Sequence, residues 1–380
     1  LSPEDLALIN PNTRTAPIFR SRRDAEITKS IFRRIPVLVN DAEPNGNPWG
    51  VEFSTMFHMT NDSHLFRTDD ELRAQGASLV ANIWTCGRER WLPLYEGKMI
   101  FLFDHRYGTY SGQTSAQANQ GTLPTPSDDD HADASQTMIP RYWVEEAEVR
   151  SRHRAAGSRI LGFREITSAV SERTLVACVV PDVAFNHKLP LINSSSAQGG
   201  LLGAVLSSFA ADYIVRQKIG GTSLSFFIAK QIAVPPPSSF DTSAPWGGGS
   251  VADWIGERAL ELTYTAWDVQ GFARSLGYNG PPFKWDPERR NLLRAEVDAA
   301  LFHLYGLGRQ DAEHVLDSFP ILASREMGKF GEYRTKRLIL ERYDALAQAT
   351  STGTGYQTVL DPPPADPRVA HPESSRPSWA

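Results

Sequence analysis

Cysteine is almost absent: the 380 residues hold only Cys86 and Cys178. A disulfide scaffold and a cysteine-based zinc site are thereby excluded, and a reducing, cytoplasmic setting is favoured. No apolar run approaches the roughly 18 residues that a membrane span needs. The opening LSPEDLALIN has neither a basic region nor a hydrophobic core and does not read as a signal peptide. Also missing are the G-x-S-x-G nucleophile elbow, the phosphate-binding P-loop, H-E-x-x-H, and a G-x-G-x-x-G following a strand. The nine histidines show no ligand spacing, and single ones such as His58 and His187 read as structural. There is no internal repeat. The chain starts on Leu rather than Met, which suggests a segment of something longer.

What is present is core-forming material. Hydrophobic residues make up 41% and aromatics 10% of the chain, enough to rule out wholesale disorder. The formal net charge is −5, but charge is unevenly spread. Between Arg14 and Arg34 stand Arg14, Arg20, Arg22, Arg23, Lys29, Arg33 and Arg34 against only Asp24 and Glu26. Such a cluster can follow a phosphate backbone or be a solvated helix face. Residues 111–140 are rich in Gln, Ser, Thr, Asp and Pro, include Asp128, Asp129, Asp130 and Asp133, and predict a long mobile loop. Discounting that acidic loop leaves the remainder near neutral. After Thr350 the prolines at 362, 363, 364, 367, 372 and 377 predict a disordered tail.

The periodicities predict an α+β chain. Strands are expected over Leu94–Phe103, Arg159–Ile166, Thr174–Val180 and Leu224–Ala229. Leu202, Val205, Leu206, Phe209 and Tyr213 predict a helix from about Gly200 to Arg216. Beyond Gly247-Gly248-Gly249 the period becomes helical. Ser250 and Asp253 make a capping-box start; Leu293, Val297, Leu301 and Leu304 form one amphipathic stripe, and Ile339, Tyr343 and Leu346 another. The expected organisation is a connector over 1–89, a mixed α/β domain over 90–240, a helical domain over 250–350 and a tail over 351–380.

Two short strings touch on chemistry. Asn279-Gly280-Pro281-Pro282-Phe283 has the look of an N-P-P-Y/F methyltransferase tetrapeptide, but Gly280 separates Asn from Pro, so a plain turn is expected. Glu96-Gly97-Lys98 is half of a metal-dependent nuclease signature. Asp69 or Asp70 is a conceivable first carboxylate, two acids holding magnesium while Lys98 polarises water.

Longer strings carry a resemblance. They are Asn10-Pro11-Asn12-Thr13-Arg14-Thr15-Ala16-Pro17-Ile18-Phe19, Leu94-Tyr95-Glu96-Gly97-Lys98-Met99 with Phe103-Asp104-His105-Arg106-Tyr107, and Arg164-Glu165-Ile166 with Glu172-Arg173-Thr174-Leu175. Arg216-Gln217-Lys218-Ile219-Gly220-Gly221-Thr222, Lys230 to Pro235, Val315 to Pro320 and Phe330 to Arg337 follow in order. Together, over residues 3–347, they resemble the C-terminal half of large bacterial restriction–modification adenine methyltransferases. The resemblance implies a DNA target-recognition region followed by a helical scaffold. It further implies an upstream methyltransferase domain of the same polypeptide, which would bind S-adenosylmethionine and flip adenine. This chain lacks the cofactor loop and the N-P-P-Y motif, so it is expected to bind no cofactor and be inert alone. Its partners would be double-stranded DNA and that upstream domain, with no membrane.

A module that reads duplex sequence needs polar and cationic side chains on rigid strands or turns, with glycines where backbone approaches phosphate. Three groups fit: Lys98, Arg106 and Tyr107; Arg216, Lys218, Gly220, Gly221, Thr222, Ser223 and Lys230; and Arg334, Lys336 and Arg337. Lys218 is expected on phosphate and Arg216 on a base. The alternatives are the nuclease centred on Glu96 and Lys98, and a protein-interaction module of a phage-defence complex.

Overall fold

The computed structural model describes residues 1–152 and 160–380, so Arg159, the first residue of one expected strand, lies outside the described residues. The chain combines helices with largely antiparallel sheets. One sheet runs β1 (Val51–Ser54), β10 (Leu191–Ser194), β7 (Leu161–Phe163), β8 (Ala177–Val179), all antiparallel. A second runs β2 (Phe66–Arg67), β6 (Trp143–Glu145), β5 (Glu89–Tyr95), β4 (Ile83–Cys86), β3 (Ser78–Val80), with β9 (Ala184–Phe185) added parallel to β5. Short strands rich in β-branched and aromatic residues suit a pleated surface packed on a core. Trp84, Trp91 and Trp143 bury one face of the second sheet over Leu72, with Trp84 and Trp143 edge-to-face at 6.2 Å.

A boundary at residue 89 would cut through both sheets, because β1 pairs with β10 and β2 to β4 build onto β5 and β6. The first forty residues are equally tied in. Asn12 N–H donates to Gln231 Oε1 at 3.1 Å, Ile18 N–H to Gln217 O at 2.6 Å, and Leu38 and Val39 to Ile232 and Lys230 carbonyls at 2.8 Å.

Several local expectations are corrected. The strand ends at Tyr95 rather than Phe103: Gly97–Met99 is a 3₁₀ turn and Phe103 has φ +56°. The helix from Gly200 is broken at Ser207–Ser208, where the Ser208 hydroxyl caps a new helix Phe209–Arg216 by accepting from Ala211 N–H at 3.2 Å. Leu224–Ala229 is no strand. A helical turn over Phe226–Ala229 turns Phe226 inward onto Phe53 and leaves Phe227 70% exposed.

Beyond Ser250 every regular element is helical. Ser250 and Asp253 form the capping box of Val251–Thr263, and Asp286 with Pro287 opens Pro287–Leu304, which packs along Arg334–Thr352. Leu293, Val297, Leu301, Ile339 and Leu346 are buried between these helices.

Neither expected disordered segment is loose. Residues 111–140 hold two capped helical turns, Ser115–Gln120 and Asp128–Ala132, and His131 stacks on Trp285 at 4.0 Å. Polar composition misled because the segment is anchored from outside: Arg106 donates to the His131 and Asp133 carbonyls. The tail straps across the helices. Tyr356 and Thr358 hydroxyls donate to Glu296 at 2.8 and 2.6 Å, Ala365 N–H to Glu261 at 2.8 Å, and Leu360 and Ala370 are buried. Its prolines set turns rather than disorder.

Candidate nucleic-acid interface

The cations expected to face DNA divide sharply by environment. Arg216 is inside. Its guanidinium pairs with Asp212, donates to Ser171 O at 2.6 Å and Glu172 O at 2.8 Å, and lies over the Phe319 ring at 4.1 Å. Asp212 is shared with Arg173 at 2.6 Å and with the Thr174 N–H. Lys218 donates to Ile9 O at 2.7 Å and to Asn10 Oδ1, over the Phe32 ring, and burial pushes its ammonium well below the usual lysine range. Arg106 is fully buried and adds the Thr265 carbonyl to those of the 131–133 segment. The base-reading role for Arg216, the phosphate role for Lys218 and the surface role for Arg106 are therefore corrected: backbone carbonyls, which are the commonest acceptors in an interior, consume all three.

The remaining cations are at the surface but paired within the chain. Lys230 bonds Asp41 at 2.9 Å; Arg334 grips Glu288; Lys336 reaches Asp317 and Glu313; Arg337 bridges Glu332 and Glu341. Those carboxylates push the Arg334 and Lys336 pKa values above their ordinary ones. Exposed pairs of this kind are weak and can exchange a carboxylate for a phosphate.

Two of the three groups meet through a segment that sequence reasoning left without a role. Glu165 accepts from Lys188 Nζ at 3.0 Å and from the Ser223 hydroxyl at 2.9 Å, and its carbonyl accepts from Leu224 N–H at 2.7 Å. Thr167 N–H donates to Thr222 O, so the Gly220-Gly221 turn is stitched to residues 165–167. One residue earlier, Arg164 donates to Gly97 O at 2.8 Å and to Ile100 O, and lies over the Phe101 and Tyr107 rings, which stack at 4.8 Å. Gly97 and Gly108 are required here: a Cβ would stand 2.9 Å from Lys188 O and 2.7 Å from Lys98 O respectively. Lys98 sits over the Tyr110 ring at 4.8 Å, with Glu96 accepting the Tyr110 hydroxyl at 2.6 Å. Burial and that carboxylate push the Tyr110 phenol up.

Lys98, Tyr107, Thr222 and Ser223 are thus linked to one another through Arg164, Glu165 and Lys188. Arg164 and Lys188 were not legible as site residues, because Arg164 is 67 residues from the glycine whose carbonyl holds it. The rim of the glycine turn is unusually apolar: Ile18 and Ile166 are 55% and 57% exposed, and Val170 and Phe227 are each 70% exposed. Arg20 reaches Ala169 O at 3.3 Å on the same rim.

The nuclease residues do not assemble. Asp69 is taken by Arg73 in its own helix, Glu96 by Tyr110 and Lys98, and no group of three or more metal-ligating side chains is found among the described residues. The Asn279–Phe283 string is a turn in which Tyr278 donates to Pro281 O at 3.0 Å and stacks on Phe283. No described helix is long and apolar enough to cross a membrane. No protein family, no curated protein and no solved structure matches the chain.

Proposed function

We propose that this chain is the DNA target-recognition region of an adenine-specific DNA methyltransferase of a bacterial restriction–modification or phage-defence system. In this reading it works in the cytoplasm. The strands between 51 and 194, with the 220–223 turn, read the duplex, and the helices after 250 are the scaffold. An upstream methyltransferase domain of the same polypeptide supplies S-adenosylmethionine and the flipped adenine.

The observation that carries the reading is the tie made by Arg164 and Glu165. It ties a cation–aromatic turn to a glycine–hydroxyl turn, and in this reading their hydroxyls and ammonium groups meet base edges and phosphates while the glycines allow close approach. The ordered strings of the sequence support the same reading. An interaction module remains the second reading, favoured by the apolar rim of Ile166, Val170 and Phe227.

Fluorescence anisotropy on random-sequence and mixed-site duplexes over a salt series tests the proposal. Binding should weaken with salt, and Lys98→Ala should lower the slope of log affinity against log salt by about one. Wild-type protein with no salt-dependent affinity for any duplex would refute it.

A further inference from the structure

Where the sheet-bearing half meets the helices there is a cavity of about 110 Å³. One wall is the Pro287–Leu304 helix, which contributes Arg294 and, one turn later, Asp298; Phe101 and Phe209 provide aromatic surface and Leu338 aliphatic surface. A guanidinium and a carboxylate four residues apart on a helix ordinarily close on each other. These two do not. Arg294 uses only Nη2, on Leu102 O at 3.1 Å, and its buried Nε has no partner among the described residues. Among the described residues Asp298 accepts only the Phe209 N–H, at 2.8 Å, and burial raises its carboxyl to about 6.

The other charged groups around the space are committed elsewhere. Arg173 is held by Asp212, Glu172 by Arg325, and Glu326 by the Thr335 backbone and hydroxyl. The cavity therefore offers one strong donor and one strong acceptor on the same helix face. An anion would be drawn to Arg294 and repelled by Asp298, and a cation the reverse. A neutral ligand with an acceptor beside a donor satisfies both. At about 30 Å³ per water the space holds three or four waters, or one flat ring system in their place.

We propose that this cavity binds a single neutral planar heterocycle with adjacent ring acceptor and amino donor, the hydrogen-bonding edge of adenine or cytosine. The ring nitrogen accepts from Arg294 and the exocyclic amine donates to Asp298, with Phe101, Phe209 and Leu338 lining the space around the ring. The site borders the candidate DNA-facing residues through Phe101 but uses neither Lys98 nor the glycine turn, so it stands whether or not that surface binds duplex.

The test is calorimetric titration of the whole chain with adenine, cytosine and N6,N6-dimethyladenine. The last keeps the ring acceptors and lacks the amine donor. Adenine should bind saturably and dimethyladenine about tenfold or more weakly, the cost of one lost charge-assisted hydrogen bond. Asp298→Asn should weaken adenine by a similar factor. Asn291→Trp, at a partly exposed position on the rim, should abolish binding by filling the space. No binding by adenine or cytosine, or equal binding of adenine and its dimethyl derivative, overturns the proposal. Should Asp298→Asn prove poorly folded, the dimethyladenine comparison and Asn291→Trp still decide it.

Discussion

Replacing Arg216 with Ala separates an interior role from a DNA-reading one. The side chain is about 4% exposed and donates to Asp212 and to the Ser171 and Glu172 carbonyls, with longer contacts to Ala169 O and Ser318 O. Deleting one partner of a buried ion pair costs roughly 3–5 kcal/mol. Asp212 would retain Arg173 at 2.6 Å and the Thr174 N–H at 3.1 Å, which favours the lower end. The two carbonyls that lose their short bonds add about 1 kcal/mol each, which pushes the cost back up. A loss of about 5 kcal/mol follows. At roughly 2 °C per kcal/mol, the lower figure appropriate to a large chain, Tm should fall by about 10 °C. The assay is thermal unfolding followed by circular dichroism, alongside duplex anisotropy below the variant's Tm. Affinity per folded molecule should be unchanged. A variant that melts like wild type but loses sequence preference would refute this, and would return Arg216 to the DNA.

Three other outcomes are expected. Asp298 has its carboxyl raised to about 6 from an ordinary 3.8, so its contribution to stability is full below pH 4 and lost as pH rises through 6. Asp298→Asn should therefore be more stable than wild type at pH 8, by an amount of order 2–3 kcal/mol, with the gap closing near pH 4 in urea titrations. Deleting residues 354–380 removes two hydroxyl donors from Glu296, the Ala365 N–H from Glu261 and the Pro362 and Pro363 carbonyls from Arg289. The truncated chain should lose at least about 4 kcal/mol and become protease-sensitive at 37 °C, whereas intact protein keeps its tail under limited trypsin digestion. Finally, magnesium should leave supercoiled plasmid intact; nicking that disappears in Glu96→Ala would establish the nuclease reading instead.

The helical half was legible because its signals are local. Ser250 with Asp253, and the i, i+4 rows at Leu293 and Ile339, need nothing beyond their own turn. The short strands were half legible. Thr174–Val180 contains the real Ala177–Val179, but its length depends on pairing with Leu161–Phe163 and could not be read alone. Three things were hidden for one physical reason: the ordering of 111–140, the strapping of the tail and the interior fate of Arg216. Each is set by partners distant in sequence, such as Arg106 for His131 and Glu296 for Tyr356, and polar composition looks the same whether or not such a partner exists. At the candidate interface the glycines and hydroxyls were visible, while the organising pair Arg164 and Glu165 was quoted only as part of a string.

The docking of the first forty residues onto 217–234 has a consequence for how the molecule is made. Asn12 meets Gln231 across 219 residues. A ribosome adding about 5–20 residues per second needs roughly 10–40 s to supply the second half of that contact. Throughout that interval Phe32, whose ring lies under Lys218 in the finished protein, is uncovered. The nascent chain therefore presents a sticky amphipathic helix, Arg22–Phe32, well ahead of the segment that docks on it. Yield should then depend on holding chaperones and on slower growth at low temperature, even though these residues are fastened down in the folded chain.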